Sequence, residues 1–588
     1  MSEPASVYLR PAALAGRHFS SVIVGAGING AGVFRDLSHQ GVDCLIIDKG
    51  DVASGASSAP SRMIHGGLRY LEHGSFSLVA EATHERNLLL RNAPHLVRPL
   101  KTVVPLSNFF GGLLSSMVRF TGIAMPSKAR GLFVVSLGLL LYDFLGRRQR
   151  VMPSHRIERV ARADGSLFRS SVRWTATYFD AWISHPEWLI HELVEDAHRD
   201  EPRSVVANYC RAIGCAGKTV YLQDELTGER VSITADTVVN ATGAWLDRSA
   251  DALHGAGSRV MGTKGSHLIL DHPVLRDALA GRMAYFEASD GRVCIVYPFL
   301  GKVLVGSTDI PVDDPDRAST DPDEVDYLLG VLRDLFPTLD ISAQQVVYTY
   351  VGVRPLARST ADNPGGIARD HSVVLDPPNT TRHVPLVCLV GGKWTTFRAL
   401  AQHAADEVLQ QLGRKRRGST EGLPIGGGAQ WPADEREQQR LIGETATRTG
   451  LAPARVAELA GRYGSLAHTV AVRFAADGDH ALAHTPGYSA AELTYLCRRT
   501  GVVHLSDLVL RRTLLAIRGQ VSEASLAEVA EIAAKALGWD ALRLRTEVQA
   551  CALLLHEQHR VSLPRLAAEQ HRTAPDAPLS PFIRPLPT

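Results

Sequence analysis

The sequence predicts an α/β Rossmann-like dinucleotide-binding domain interleaved with an antiparallel-sheet domain, followed by an α-helical C-terminal domain. Three observations carry this prediction. The fingerprint G-x-G-x-x-G, filled by Gly25, Gly27 and Gly30, follows the apolar run SSVIV (20–24) and opens a helix-like segment reaching Gly41. Between residues 264 and 310 the short apolar runs SHLIL, VCIVY and VLVGS read as antiparallel strands, the last two separated by the turn PFLGK. Beyond about residue 418 the apolar spacing is helical almost throughout, as in SEASLAEVAEIAAKALG (522–538).

Each element has a local reason. After the fingerprint, the apolar run VDCLIID ends at Asp48, completing a β-α-β unit with an acid where ribose hydroxyls can donate to it. The first glycine permits the tight turn, the second lets a pyrophosphate approach the backbone, and the third lets helix pack on strand. A second apolar strand, ADTVVNATGAWLD (235–247), ends in small residues and can return beside the same nucleotide. Asp321, Pro322 and Glu324 give a capping signal for a helix running to about Phe336. The two architectures interleave, so residues 18–418 are expected to hold both domains discontinuously, 419–561 the helical domain, and 562–588 a proline-rich extended tail. RKRRG (414–418) and LPIGGGAQWP (423–432) read as a polar, glycine-rich joint, the basic run 414–417 as a solvated linker.

Composition bounds the function. A chain of 588 residues, 45% hydrophobic and 21% charged, can bury several cores, and its net charge of +2 selects neither nucleic acid nor an acidic surface. The seven cysteines are scattered without a C-x-x-C pair, which suits buried thiols in a reducing compartment and no structural zinc. No apolar run at the start reads as a signal peptide, so a cytoplasmic location is expected. GLFVVSLGLLLYDFLG (131–146), followed by Arg147, Arg148 and Arg150, is too short to span a bilayer. It reads either as a buried core helix or as a helix lying on a membrane, with the apolar segment 108–120 leaning toward the second.

The chemistry-bearing residues recur in short glycine-bearing segments: IHGGLRY (64–70), TKGSH (263–267), VGVRPL (351–356), IARDH (367–371) and GGKWTTFR (391–398). Each sets a cation or an imidazole beside a flexible turn, and together they look like an anion site, because Arg forks and Lys charges offset the desolvation of a buried dianion.

These segments resemble the flavin-dependent glycerol-3-phosphate dehydrogenases, within the D-amino-acid-oxidase-like flavoproteins. The resemblance runs from GAGINGAG through SGASSAPSRMIHGGLRYLEHG (54–74) and GGKWTTFR to HLSDLVLRRT (504–513). It implies that the Rossmann-like domain binds FAD and that the antiparallel domain binds substrate. Cofactor positions would be Gly25, Gly27, Ile28, Asn29, Gly30, Asp48, Ser57, Ser58, Ser61, His65, Gly66, Gly67, Ala241, Thr242, Gly243, Gly391, Gly392, Lys393, Thr395 and Thr396. Substrate positions would be Arg69, Tyr70, His267, Arg354, Arg369 and Lys393, with Arg354 and Arg369 on the phosphate. The catalytic set would be His65, His267, Lys393 and Arg354; the base that takes the hydroxyl proton is left open among His65, His267 and Lys393. The implied partners are glycerol 3-phosphate, oxidised to dihydroxyacetone phosphate, a membrane quinone and the inner face of the plasma membrane. A homodimer is the candidate assembly.

Two departures from the family pattern matter. Phe34 replaces a small residue in the fingerprint helix, so helix and sheet must pack differently there. Ser184, His185, Pro186 and Glu187 replace a more acidic run, which would alter substrate choice if that segment touches substrate or orders the active-site cap. Three alternatives remain: an oxidase discharging to dioxygen, an amine or amino-acid oxidase on the same scaffold, and a flavin-binding module with a different or no substrate.

Overall fold

The computed structural model describes residues 6–68, 71, 75–109, 131–147, 151–160, 167–358 and 371–563. Two sheets organise the part of the chain that precedes the helical domain. Along the first, the order is His371–Asp376, Leu386–Gly391, Arg230–Asn240, His18–Val24, Cys44–Ile47 and Val205–Ala207. The last five are mutually parallel, while His371–Asp376 joins antiparallel at the edge. Cys44–Ile47 and Leu386–Gly391 are buried at every position, as expected when a parallel sheet is covered on both faces. Helix Ile28–His39 packs against helices Pro186–Asp200 and Phe397–Gln411 over this sheet. Phe34 is wholly buried in the core there, so the larger ring is absorbed by packing.

The second sheet runs Ile310–Val312, Val260–Leu270, Lys302–Gly306, Val293–Phe299, Arg282–Glu287, Val97–Leu106, Trp174–Ile183 and Met63–Ile64. Val346–Ala357 lies along Val260–Leu270, the longest pairing in the sheet. The three apolar runs recognised in the sequence are the neighbouring antiparallel strands Val260–Leu270, Lys302–Gly306 and Val293–Phe299. The chain passes from one sheet to the other repeatedly, which sets strand-end loops of the first against the face of the second. Helix Pro322–Leu335 begins as expected, the Glu324 carboxylate accepting from the Asp321 amide at 3.0 Å, and it packs under the second sheet.

Helix Leu132–Leu145 has one buried and one exposed apolar face. Leu132, Val135, Leu139 and Tyr142 are buried, whereas Phe133, Leu137, Leu140 and Phe144 are 45%, 60%, 58% and 56% exposed. The Arg147 guanidinium lies 4.3 Å from the centroid of the Phe144 ring. Arg148, Arg150 and residues 110–120 lie outside the described residues, as does nearly all of the 562–588 tail.

The helical domain includes Glu435–Thr449, Pro453–Tyr463, Ala467–Asp477, Ala490–Arg499, Glu523–Leu537 and Ala541–His559. The helix read at 522–538 begins after the Ser522 cap and ends at Gly538 in the left-handed region. The basic run is exposed at Arg414, Lys415 and Arg417, as a solvated linker should be, yet it is tied to the fold. Arg416 is half-buried and bridges Asp36 at 2.8 Å and Asp406 at 2.6 Å, pinning the run to the fingerprint helix. Gly426–Gly428 form a buried turn in which a Cβ on Gly427 would sit 2.0 Å from the Tyr463 carbonyl oxygen. These glycines permit contact between domains, which in sequence looks the same as flexibility.

Candidate active site

The fingerprint builds one end of a cleft of about 2790 Å³ between the two sheets. The chain turns at Gly25, in the left-handed region at φ 105°, and its amide donates to the Ile47 carbonyl at 2.7 Å. A Cβ on Gly30 would lie 1.9 Å from the Gly25 carbonyl oxygen, so this glycine serves helix-on-turn packing and does not itself line the cleft. The N-terminus of helix Ile28–His39 faces the cleft, where amides and the helix dipole favour an anion. The Ile28 amide donates to Ser57 Oγ at 2.9 Å.

Asp48 ends the second strand and accepts from the amides of Ala26 at 2.8 Å and Gly50 at 2.9 Å. Burial pushes its carboxyl above the usual range, against the lowering effect of those amides. Ala241, Thr242 and Gly243 follow the parallel strand Arg230–Asn240 to the same cleft, with Thr242 Oγ1 donating to Asn240 Oδ1 at 2.7 Å.

Two loops meet at the other end. Strand Leu386–Gly391 delivers Gly391, Gly392, Lys393 and Thr395 to the cleft, while Thr396 is buried at the cap of the next helix. The His65 amide donates to Thr395 Oγ1 at 3.2 Å, and Trp394 Nε1 donates to the Ser57 carbonyl at 3.1 Å. Ser57, Ser58, Ser61, His65 and Gly67 line the cleft, and Gly66 is buried behind them.

Gly66 is held from below by side chains that sequence reasoning missed. Its amide faces Tyr142 Oη at 3.0 Å and Asp180 Oδ1 at 3.2 Å, and the Tyr142 hydroxyl donates to Asp180 at 2.6 Å. Arg86 Nη1 donates to both, at 2.7 and 2.9 Å. Tyr142 comes from the inner face of the apolar helix. Tyr142→Phe therefore leaves a buried guanidinium and amide short of an acceptor, and is expected to destabilise the protein by about 1–3 kcal/mol. Chemical denaturation of the purified variant checks this, and an unchanged midpoint would rule out the brace.

His267 sits in the floor of the cleft, on strand Val260–Leu270. Its Nε2 meets Ser61 Oγ at 2.8 Å and its ring stacks on Tyr350, with centroids 4.8 Å apart and planes 7° from parallel. Burial, then the nearby Arg354 and Arg62 cations, hold its imidazole down at about 3, so it is neutral. Arg354 lies on the adjacent strand, opposite Thr263, and donates to Ser307 Oγ at 2.9 Å and to Asp309 Oδ1 and the Thr308 carbonyl at 3.2 Å. Lys264 points elsewhere: its ammonium pairs with Asp321 at 2.5 Å and Glu324 at 2.9 Å, which takes it out of the expected cation cluster. Arg69, Tyr70 and Arg369 lie outside the described residues.

The segment 184–187 does not line a substrate pocket as a block. Glu187 pairs with buried Arg62 at 2.8 Å, and Arg62 also donates to the Ser184 carbonyl at 2.9 Å. The Arg62 guanidinium lies 5.5 Å from the Phe299 ring centroid. His185 Nε2 meets the Arg511 carbonyl at 3.1 Å, so this segment ties the loop under Ser61 to the helical domain. Tyr297 and Tyr350 donate to the Ser61 and Pro60 carbonyls, each at 3.0 Å, completing the support of that loop.

The cleft fits a flavin dinucleotide. Its nucleotide end offers a helix N-terminus, a buried acid and a glycine cradle, since a Cβ on Gly27 would lie 2.9 Å from Ser57 Oγ. Comparison with known proteins agrees. The FAD dependent oxidoreductase family matches residues 21–407, and the C-terminal domain of alpha-glycerophosphate oxidase matches residues 418–544. Glycerol-3-phosphate dehydrogenase 2 of Mycobacterium tuberculosis is 30% identical over 90% of this chain and 87% of its own. D-erythritol 1-phosphate dehydrogenase of Brucella abortus is 30% identical over 84% of this chain and 93% of its own. The solved structure of a glycerol-3-phosphate dehydrogenase from Bacillus halodurans with FAD shares the fold, at a TM-score of 0.70 and 21% identity, over 92% of this chain and 96% of that one. From the fingerprint turn to the helical domain, the chain belongs to the FAD dependent oxidoreductase family, among the glycerol-3-phosphate dehydrogenases.

Proposed function

We propose that this enzyme oxidises sn-glycerol 3-phosphate to dihydroxyacetone phosphate and that the electrons pass to a membrane quinone. The observation that carries the reading is the pairing of a buried, neutral His267 with the Arg354 fork on adjacent strands, between the loops 57–67 and 391–396. FAD bound along the cleft supplies the acceptor for the hydride from carbon 2. Arg354, with Lys393, Arg69 and Arg369, binds the phosphate, and this distant grip orients carbon 2. His267 takes the hydroxyl proton. A phosphate dianion on Arg354 offsets the cation that depresses His267, so bound substrate raises the imidazole toward the range where it works as a base. His65 and Lys393 are the other candidates, and both line the cleft.

The deciding experiment is anaerobic mixing of the yellow enzyme with glycerol 3-phosphate, D-erythritol 1-phosphate and the unphosphorylated polyols. Glycerol 3-phosphate is expected to bleach the oxidised flavin fastest. Faster bleaching by the four-carbon phosphate would reassign the substrate, and a flavin that stays oxidised with all of them would end the dehydrogenase reading.

The exposed stripe Phe133, Leu137, Leu140 and Phe144, with Arg147 beside it, supports docking on an anionic bilayer, where a quinone is at hand. Among the described residues no helix is long and apolar enough to cross a membrane. All seven cysteines are buried and free, which supports the reducing, cytoplasmic side of the plasma membrane. We expect salt-sensitive sedimentation with anionic vesicles, because surface attraction is screened over about 8 Å at physiological ionic strength. Leu137→Glu with Leu140→Glu should abolish it while leaving dye-linked activity unchanged. Peroxide formed stoichiometrically in air would move the reading to an oxidase.

A further inference from the structure

The cleft does not end at the two sheets. Its wall near His267 continues along strand Val346–Ala357 to the last described helix of the C-terminal domain, Ala541–His559. Register sets Tyr350 opposite His267 and Tyr348 opposite Ile269, so both tyrosines point to one face of the sheet. His267 stacks on Tyr350; the Tyr350 and Tyr348 centroids are 6.2 Å apart; and Tyr348 stacks on His559 at 4.6 Å with planes 9° from parallel. Four rings thus run in one column of two stacked pairs joined by a tilted Tyr348–Tyr350 contact, the planes 36° apart, and all of them line the cleft.

The far end of the column is fixed. His559 Nδ1 donates to the Thr349 carbonyl at 2.9 Å, which sets its tautomer and holds its plane against Tyr348. Its helix is anchored in turn by Glu547, which accepts from the Leu505 amide at 2.8 Å and meets His504 Nδ1 at 2.9 Å. The near end is fixed less directly. Ser61 Oγ holds one nitrogen of His267, and the imidazole is flanked by the Tyr350 ring on one strand and by Gly306 on the other, where a Cβ would lie 2.1 Å from its Cδ2.

We propose that His559 is a positioning residue for His267: the C-terminal domain orients the imidazole of the substrate site through the Tyr348–Tyr350 column. This rests on the reading of His267 as the base. It gives the helical domain a part in the reaction beyond packing. The consequence is directional: removing the ring at the far end should loosen the imidazole, slowing the chemical step while leaving phosphate binding at Arg354 alone.

The test compares full-length, FAD-loaded parent, His559→Ala, His559→Phe and Tyr348→Leu, with two readouts. In anaerobic single-turnover with glycerol 3-phosphate, Ala and Leu should slow flavin reduction about tenfold, with half-saturation by substrate unchanged, because small misplacements of a reacting group cost large factors in rate. Phe, which keeps the stack and loses the hydrogen bond, should recover most of the rate. The second readout is independent of turnover: in protein carrying nitrogen-15 histidine, the His267 imidazole resonances, assigned with His267→Gln, should shift in Ala and Leu and stay near the parent position in Phe. Unchanged reduction rates and resonances in folded Ala and Leu variants would overturn the proposal, and so would a Phe variant as slow as Ala. A parent that is not reduced by any polyol phosphate would sink the dehydrogenase reading instead, with the resonance shifts still reporting whether the column holds His267.

Discussion

Asp51→Ala is expected to destabilise the protein by about 3–5 kcal/mol and to strip it of flavin, because it leaves the buried Arg512 and the half-buried Arg511 without their shared partner. Asp51 lies three residues beyond Asp48 in the turn that follows the second strand. Arg512 grips it with both terminal nitrogens, at 2.6 and 2.7 Å, and Arg511 Nε adds a third contact at 2.6 Å. The Asp51 and Arg512 side chains are wholly buried. The same turn is tied to the fingerprint, the Ala53 amide donating to the Ala26 carbonyl at 3.0 Å, and Asn208 Nδ2 reaches Asp51 Oδ1 at 3.3 Å. Freed from Arg512, the turn no longer holds Asp48 and the Ser54–Ser61 segment in register with the glycine turn. Urea denaturation and the flavin-to-protein ratio after gel filtration measure both effects. A variant with the parent's midpoint and a full complement of flavin would refute the argument.

The same carboxylate carries a pH signature. Burial alone would raise it, but Arg512 and Arg511 outweigh burial and hold it well below the usual carboxylate range. A group depressed on folding contributes stability that is complete above its unfolded value, near pH 4, and is lost as the pH falls toward the folded one. The stability gap between parent and Asp51→Asn should therefore be widest at neutral pH and narrow in acid. His185, kept neutral by burial and the nearby Arg62 and held down at about 3, acts in the same sense. It must take up a proton on unfolding, so it costs stability as the pH drops below about 6.5.

What was legible in the sequence follows from how local its cause is. The fingerprint glycines, the cap at Asp321 and Glu324 and the strands flanking PFLGK are dictated within a few residues, and each stands where it was expected. Contacts between distant segments were not legible. Arg62 reads as one basic residue among many, and only the fold sets it against Glu187, 125 residues away. Of the two roles open to the altered segment 184–187, contact with substrate or ordering of the site, the support it gives the Ser61 loop through Arg62 could be seen only in the fold, where Glu187 also lines the cleft. Glycines 426–428 read only as part of a glycine-rich joint, because close contact and freedom call for the same residue. The apolar helix could not be assigned one face from composition, since both its faces are apolar and only packing distinguishes Tyr142 inside from Leu140 outside. His559 gave no signal at all, its stacking on Tyr348 arising from two domains far apart in sequence.

Arg354→Ala should raise the KM for glycerol 3-phosphate by about 10–100-fold, the cost of roughly 1.5–3 kcal/mol for losing a hydrogen-bonded charge contact. Flavin content should not change, because the partners of Arg354 are Ser307, Thr308 and Asp309, between strands Lys302–Gly306 and Ile310–Val312 of the second sheet. The pocket is shaped around this fork: a Cβ at Gly265, on the facing strand, would lie 2.1 Å from Arg354 Nη2. Arg354→Lys should recover only part of the loss, since an ammonium keeps the charge but not the bidentate geometry. A second effect separates phosphate binding from control of the base. Arg354 is the largest cationic influence depressing His267, after burial itself. Removing it should move the acidic limb of the kcat/KM profile, which reports the free enzyme, to higher pH. A raised KM with an unmoved limb would keep Arg354 on the phosphate and transfer the base to His65 or Lys393. An unchanged KM would take Arg354 out of the substrate site.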